Sequence, residues 1–169
     1  MSKSIISNKI LPTFCMVCGI LIYSAWIFVL PLLILGSLYT KVILIALLIY
    51  QYCFAKKSEA YRQFLKSLNP ISYFKSHNVI FEEEPDRHNS LFAFHPHGIM
   101  SFGTSLSMAK NDILYDSILC GSRALLNLPI SGIFARLMGI EGVNNAKFKD
   151  IMKSGHNIAF LPGGFEEAT

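Results

Sequence analysis

The chain has 169 residues, 52% of them hydrophobic and 15% charged, with a net charge of +4. That length gives room for about one domain. The basic excess is spread out, without a Lys/Arg block or a basic–aromatic stripe, so it argues against nucleic acid and suits an anionic membrane face or an anionic substrate.

Residues 1–9 form a short polar arm with Lys3 and Lys9. From Ile10 to Thr40 no residue is charged, and after Lys41 the apolar run resumes to Ala55. This far exceeds the roughly 20 residues of a spanning helix. It is also too long for a signal-peptide core and has no small-residue cleavage site. Residues 10–55 therefore read as a membrane hairpin. An apex at Pro31 would leave Lys41 deep in the second limb, where insertion costs about 2.5–3.5 kcal/mol. An apex at Gly36–Lys41 avoids that cost and leaves Pro31 as a kink in the first limb. The second limb, Val42–Ala55, reaches only about 21 Å, against a core of roughly 30 Å. The hairpin is thus transmembrane or re-entrant. Lys3, Lys9, Lys56 and Lys57 place both of its ends in the cytosol. Three of the four cysteines, Cys15, Cys18 and Cys53, lie here, and Cys120 stands alone. Cys15-x-x-Cys18 lacks a second ligand pair, so reduced, buried thiols are the better reading than zinc. The absence of any Asn-x-Ser/Thr acceptor gives no support to a luminal domain.

Residues 56–76 read as an interfacial amphipathic segment, with a helix packed on the soluble domain as the alternative. Ala60, Tyr61, Phe64, Leu65 and Leu68 recur at helical spacing over 57–68, with Lys57, Arg62, Gln63 and Lys66 on the other face. Asn69-Pro70 ends that helix. Residues 77–169 alternate short strands with helices. Strands are expected at 78–81, 91–94, 117–120 and 157–161, with a further turn or short strand at 139–143. Helices are expected at 104–110, at 129–138 with proline in the first turn, and at 146–154 closed by Gly155. Glu82–Arg87 is a solvated turn. The alternation predicts an α/β fold with a parallel or mixed sheet. The chain stops just after a strand-and-glycine turn, which predicts a fragment with an incomplete sheet.

Two strand ends carry the chemistry. His95-Pro96-His97-Gly98 follows the apolar run Leu91–Phe94. Alternate residues of an extended chain point the same way, so His95 and His97 share a side. Pro96 stiffens the backbone and Gly98 admits close approach. One imidazole can take a proton from a substrate hydroxyl while the other orients it or holds developing charge. Two rival readings stand beside this one. A metal site would need a third ligand, and His88, Cys120 and His156 have no helpful spacing. A satisfied structural pair needs no chemistry at all. The second strand end is Phe160-Leu161-Pro162-Gly163-Gly164. Its glycines can expose N–H groups as a nest for an oxyanion or a phosphate-bearing carrier, or simply make a tight turn. Glu166 and Glu167 suit a helix first turn, or one of them orients an imidazole. Arg123, just past a strand, suits a phosphate or a surface ion pair. Lys147, Lys149 and Lys153 read as a solvated helix face. No serine or cysteine occupies a strand-turn nucleophile elbow, so direct transfer without a covalent intermediate is expected.

His95-Pro96-His97-Gly98-Ile99-Met100, Arg123, the Pro129–Gly132 stretch and Pro162-Gly163-Gly164-Phe165-Glu166-Glu167 stand in order behind the hairpin. Together they resemble the type-2 diacylglycerol acyltransferase family, which includes monoacylglycerol acyltransferases and wax synthases. The resemblance runs from the hairpin to the last residue. It implies a glycerolipid-acyltransferase-like fold and transfer of a fatty acyl group from acyl-CoA to diacylglycerol. The place would be the endoplasmic reticulum membrane or lipid droplets, with the catalytic part facing the cytosol. It implies His95 or His97 as the base. Pro96, Gly98, Arg123, Pro162, Gly163, Gly164 and Glu166 would contact substrate. No metal and no cofactor are implied, acyl-CoA being a co-substrate, and a homo-oligomer is compatible with it. Monoacylglycerol or a fatty alcohol is the alternative acceptor. The alternative class is a non-catalytic, hairpin-anchored membrane or droplet protein. Two departures stand out. The related superfamily's His-x4-Asp acid is replaced by Met100 or Phe102, counted from His95 or His97. The family's Tyr-Phe-Pro motif is absent as such, with Leu68-Asn69-Pro70 and Tyr73-Phe74 nearby.

Overall fold

The apolar N-terminal half and the alternating C-terminal half fold differently because their hydrophobic surface is distributed differently. The computed structural model describes residues 2–76, 78, 80–83, 85–95, 108, 111–142 and 144–162, with backbone alone for 2–8 and 145. Among the described residues it contains eight α-helices, one 3-10 turn and a four-stranded sheet. The chain divides into two compact units, one made of residues 1–76 and 123–140, the other of 77–122 and 141–169.

In the first unit the uncharged run forms α1 (Ser2–Ser24), α2 (Trp26–Leu35) and α3 (Leu38–Cys53). The turn between α2 and α3 is tight. Gly36 donates its N–H to the Leu32 carbonyl at 2.9 Å. A Cβ on Gly36 would lie 2.3 Å from that oxygen, so glycine is required there. Ser37 then caps α3 by accepting the Thr40 N–H. The first limb does not bend at Pro31, as the sequence suggested. Pro31 lies inside α2, and the break is at Ala25, where the two parts meet at 59°. The reason is a donor from far along the chain. The Ser131 hydroxyl lies 2.9 Å from the Ile22 carbonyl and 3.1 Å from that of Tyr23. At the break the Ile22 carbonyl accepts the Ala25 N–H at 3.2 Å, and the hydroxyl adds a donor from outside the helix. Among the described residues, no single helix is long and apolar enough to cross a membrane. The bent pair Lys9–Ser24 plus Trp26–Leu35 meets the length and composition required, and α3 is a shorter apolar helix.

Helix α4 (Glu59–Ser67) is capped by Ser58, whose side chain accepts the Tyr61 N–H. Its buried face differs from the apolar stripe read in the sequence. Arg62 is 6% exposed and pairs with Glu59 at 3.0 Å, while Phe64 is 56% exposed. The inward residue is Tyr61, whose ring meets Phe134. Arginine can go inside because its stem packs and its head stays paired. Glu59 is held below the usual carboxylate range by the Gln63 side-chain hydrogen bond, with Arg62 and Lys57 adding to it. Asn69 takes a left-handed conformation and the 3-10 turn Pro70–Tyr73 follows, packed on α1.

In the second unit β1 (Leu91–Ala93), β2 (Ile118–Gly121), β3 (Glu141–Gly142) and β4 (Ile158–Phe160) pair in the order β1-β4-β2-β3, all parallel. The central β4 explains its unbroken apolar run: Ile158 and Ala159 are fully buried. Helix α8 (Asn145–Lys153) is capped by Asn144 and followed by Gly155 at φ +81. It lays Phe148, Ile151 and Met152 against Ile118, Cys120, Ile158 and Phe160. Helix α5 (Asp112–Asp116), capped by Asn111, and helix α6 (Arg123–Asn127), in the first unit, were not foreseen. The strand expected at 78–81 does not form at residues 78, 80 and 81, and Ile80 is 86% exposed. The carboxylates and proline that follow it resist ladder formation. The helix expected at 104–110 lies outside the described residues except for helical Met108.

The start of the sheet is pinned by one amide. Asn157, 6% exposed, accepts the Ser90 N–H at 2.9 Å and donates to the carbonyls of Asp86 and Arg87. Its own carbonyl accepts the Ile118 N–H. One residue therefore ties the entries of β1 and β2 to β4. Asn157→Ala strands the Ser90 donor and is expected to cost about 2–3 kcal/mol. Thermal unfolding of the solubilised protein measures this, and an unchanged midpoint would contradict it.

Cys120 is buried in the same core. Burial, followed by the nearby Glu141 charge, pushes its thiol up to about 11. A thiol with a raised pKa stabilises the fold fully below its unfolded value near 9, and that contribution declines as pH rises from 9 to 11. At pH 8 iodoacetamide is expected to label exposed Cys53 and to leave Cys120 until the protein is unfolded. Mass spectrometry of the digested protein reads both sites, and labelling of native Cys120 would contradict the burial.

Candidate active site at the carboxyl edge of the sheet

Parallel strands place all their carboxyl ends on one edge, where loops can gather reactive groups. The register pairs Ala93 with Phe160, and the Phe94 N–H continues the ladder to the Phe160 carbonyl at 3.0 Å. His95 follows at once on one strand, and Leu161 and Pro162 follow on the other. With strands about 5 Å apart, His95 and the Leu161–Pro162 pair leave the sheet side by side. His95 is exposed at this edge. Gly121 and Ser122 leave β2 at the same edge, since Cys120 pairs with Phe160.

Pro96, His97, Gly98, Gly163, Gly164, Glu166 and Glu167 lie outside the described residues. Of the ligands weighed for a metal, His88 and His156 precede β1 and β4, at the opposite end of the strands from His95. Cys120 is the buried thiol described above. The described residues contain no group of three or more side chains able to hold a metal.

Arg123 is exposed and opens α6, in the first unit. The other end of that helix meets an arrangement the sequence reading missed. Three successive carbonyls, those of Leu126, Asn127 and Leu128, accept hydrogen bonds from two neighbouring side chains of α3. Gln51 Nε2 donates to Leu126 and to Leu128, each at 3.2 Å, and the Tyr52 hydroxyl donates to Asn127 at 3.3 Å. Gln51 Oε1 accepts the Ile130 N–H at 2.9 Å. Gln51 is fully buried, and both amide hydrogens and the carbonyl oxygen are used. The guanidinium of Arg136 lies over the Tyr52 ring, 5.7 Å from its centre.

The turn so held is strained. Ile130 has φ 67 and ψ −54, and the Ser131 N–H bonds back to the Pro129 carbonyl at 2.7 Å. This is a γ-turn of the rare positive-φ kind, and at a β-branched residue it costs about 1–3 kcal/mol. It delays the helix expected from Pro129, so that α7 runs from Ser131 to Met138. Gly132 completes the seat, because a Cβ there would lie 2.3 Å from the Leu126 oxygen and 2.5 Å from Gln51 Nε2. The one signal in the sequence was an amide inside an otherwise apolar run.

The comparisons with known proteins agree with the resemblance noted from the motifs. The family model for diacylglycerol acyltransferase matches residues 25–169. Diacylglycerol O-acyltransferase 2A of Umbelopsis ramanniana is 30% identical over 107 residues, which cover 57% of this chain and 30% of that relative. The chain therefore spans less than a third of the length of the curated relative it matches. No solved structure matches it. With the matched region covering both strand-end motifs, the Pro129–Gly132 stretch and the α2–α3 turn, the chain belongs to the diacylglycerol acyltransferase family.

Proposed function

We propose that the chain carries the catalytic histidine motif of an acyl-CoA-dependent O-acyltransferase that converts diacylglycerol to triacylglycerol. The observation that carries this reading is the pairing of β1 with β4, which delivers His95 and Pro162 to the same edge of the sheet. The family match supports the reaction class.

In the proposed mechanism His95 or His97 takes the proton of the acceptor hydroxyl. The oxygen attacks the thioester carbonyl, the tetrahedral oxyanion collapses, and the C–S bond breaks. The imidazolium returns its proton to the departing CoA thiolate. Backbone N–H groups at Gly163-Gly164 suit the oxyanion, Arg123 suits a CoA phosphate, and Glu166 suits the orientation of an imidazole. Pro96 and Gly98 suit contact with the substrate beside those histidines.

The proposed partner of the apolar helices is a bilayer of the endoplasmic reticulum or the surface of a lipid droplet. The supporting observation is their outward face: Phe14, Leu30, Ile34, Leu35, Leu38 and Tyr39 are all exposed. So large an apolar surface needs a covering. Exposed Phe64 on α4 suits the interface beside it. The acceptor lipid would arrive through that layer and acyl-CoA from the cytosol.

Labelled acyl-CoA and diacylglycerol, added to membranes carrying the protein, are expected to give labelled triacylglycerol. His95→Ala or His97→Ala should lower the rate at least about 100-fold. Wild-type rates in both variants would exclude the mechanism, and product from monoacylglycerol or fatty alcohol instead would reassign the acceptor. The protein should also stay with the membrane pellet through alkaline carbonate washing, and release into the supernatant would contradict the hairpin's insertion.

A further inference from the structure

The charges of this chain are divided unevenly between its two units. In residues 1–76 and 123–140 the only side-chain carboxylate is Glu59, against seven lysines and three arginines. The other unit has ten carboxylates against five cations. A modest overall charge therefore hides one strongly positive unit, and it is the one with the exposed apolar helices. Glu59 offers little relief. Arg62 and Gln63 occupy its oxygens, and Lys57 acts on it through charge.

The C-terminal end of α7 gathers several of these cations. The link from α3 to α4 runs against it, with the Ser58 N–H donating to the Leu137 carbonyl at 3.0 Å. Gly139 closes the helix at φ +81, and the Lys57 stem lies over it, since a Cβ there would come within 2.9 Å of Lys57 Cγ. Arg136, in the last turn, reaches over the Tyr52 ring. Lys56, next along the link, is exposed. Cations at a helix C-terminus ordinarily serve its open carbonyls. Here backbone donors already do so: Ile140 bonds to Ala135, Gly139 to Arg136 and Ser58 to Leu137. Arg136 Nε is buried with no hydrogen-bond partner among the described residues. The same place carries exposed aromatic surface. Tyr50, Tyr52 and Phe54 are all exposed, and Tyr50 stacks on Phe54 with ring centres 6.4 Å apart. Aromatic rings beside lysine and arginine at the end of an apolar helix belong at the headgroup level of a bilayer.

We infer that Lys56, Lys57 and Arg136 form a site for the phosphate of an anionic lipid headgroup, with Tyr52 and Phe54 seated in the acyl layer beneath it. This rests on the membrane reading above and names the lipid class that the first unit selects. The occupant is a membrane lipid rather than a soluble phosphate, because the cations stand among rings that themselves need an apolar cover.

The test is binding of phosphatidylinositol and of phosphatidylcholine, with the same acyl chains, to the full chain in uncharged detergent, read by native mass spectrometry. Wild type should bind phosphatidylinositol at least about tenfold more tightly, and Lys57→Gln and Arg136→Gln should each lower that preference about fivefold. Binding of phosphatidylcholine should not change. Lys41→Gln removes the same charge at the other end of α3 and should keep the preference.

Equal binding of the two lipids by wild type overturns the inference and leaves the membrane reading intact. An equal loss in Lys41→Gln means diffuse charge rather than a site and overturns it as well. So does displacement of the lipid by millimolar inorganic phosphate, which would mark a site for a soluble anion. If Arg136→Gln does not fold, the exposed pair decides, and a Lys56→Gln/Lys57→Gln variant with unchanged preference overturns the inference. Wild type that binds neither lipid and leaves membranes in carbonate overturns both readings.

Discussion

An amide cannot be buried in an apolar helix unless every one of its polar atoms finds a partner. Gln51 meets that requirement through Leu126, Leu128 and Ile130. The first unit is organised around this demand. The Leu126–Ile130 segment gains partners for carbonyls that α6 leaves open. Ile130 gains the restraint that keeps its γ-turn from relaxing. Gly132 is required because the backbone must come within reach of the same side chain. Removing the amide would release all of these together.

The second unit depends on a different constraint, the geometry of a parallel sheet. Strands that run the same way must end on the same edge, and β4 occupies the centre with β1 and β2 on either side. Asn157 fixes the entries to these strands, so it also fixes how far each strand reaches at its exit. A one-residue slip of β1 would turn His95 to the other face. The pin at one end of the sheet thereby sets the geometry at the other.

What could be read from the sequence follows from how local each cause is. Asn157–Leu161 is legible because two-sided burial leaves an unbroken apolar run, whereas Leu91–Phe94 is legible from its apolar run alone, since as an edge strand it leaves Leu91 and Ala93 exposed. The helix at Asn145–Lys153 is legible because its cap and closing glycine lie within a few residues of it. The turn at Gly36 is legible because a charge, Lys41, limits where the limbs can reverse. The bend at Ala25 is not, because the hydroxyl that supports it belongs to Ser131, 109 residues from Ile22. Burial of Arg62 is not legible either, since a periodicity count places every arginine on the wet face. At the site, His95 and Pro162 each read as the end of a strand, but that the two strands are neighbours is a property of the sheet order alone. Gln51 is a lone amide in a hydrophobic stretch, and nothing nearby in sequence shows what it binds.

The Ser131 hydroxyl carries one hydrogen, shared between two carbonyls at the break in the first limb. Straightening that limb would return those carbonyls to their own helix and dismiss the hydroxyl. Unseating the segment 126–131 would in turn take away what props the break open. Each change favours the other by the same amount of free energy. The angle of an apolar rod and the seating of a distant peptide loop are therefore two readings of a single equilibrium.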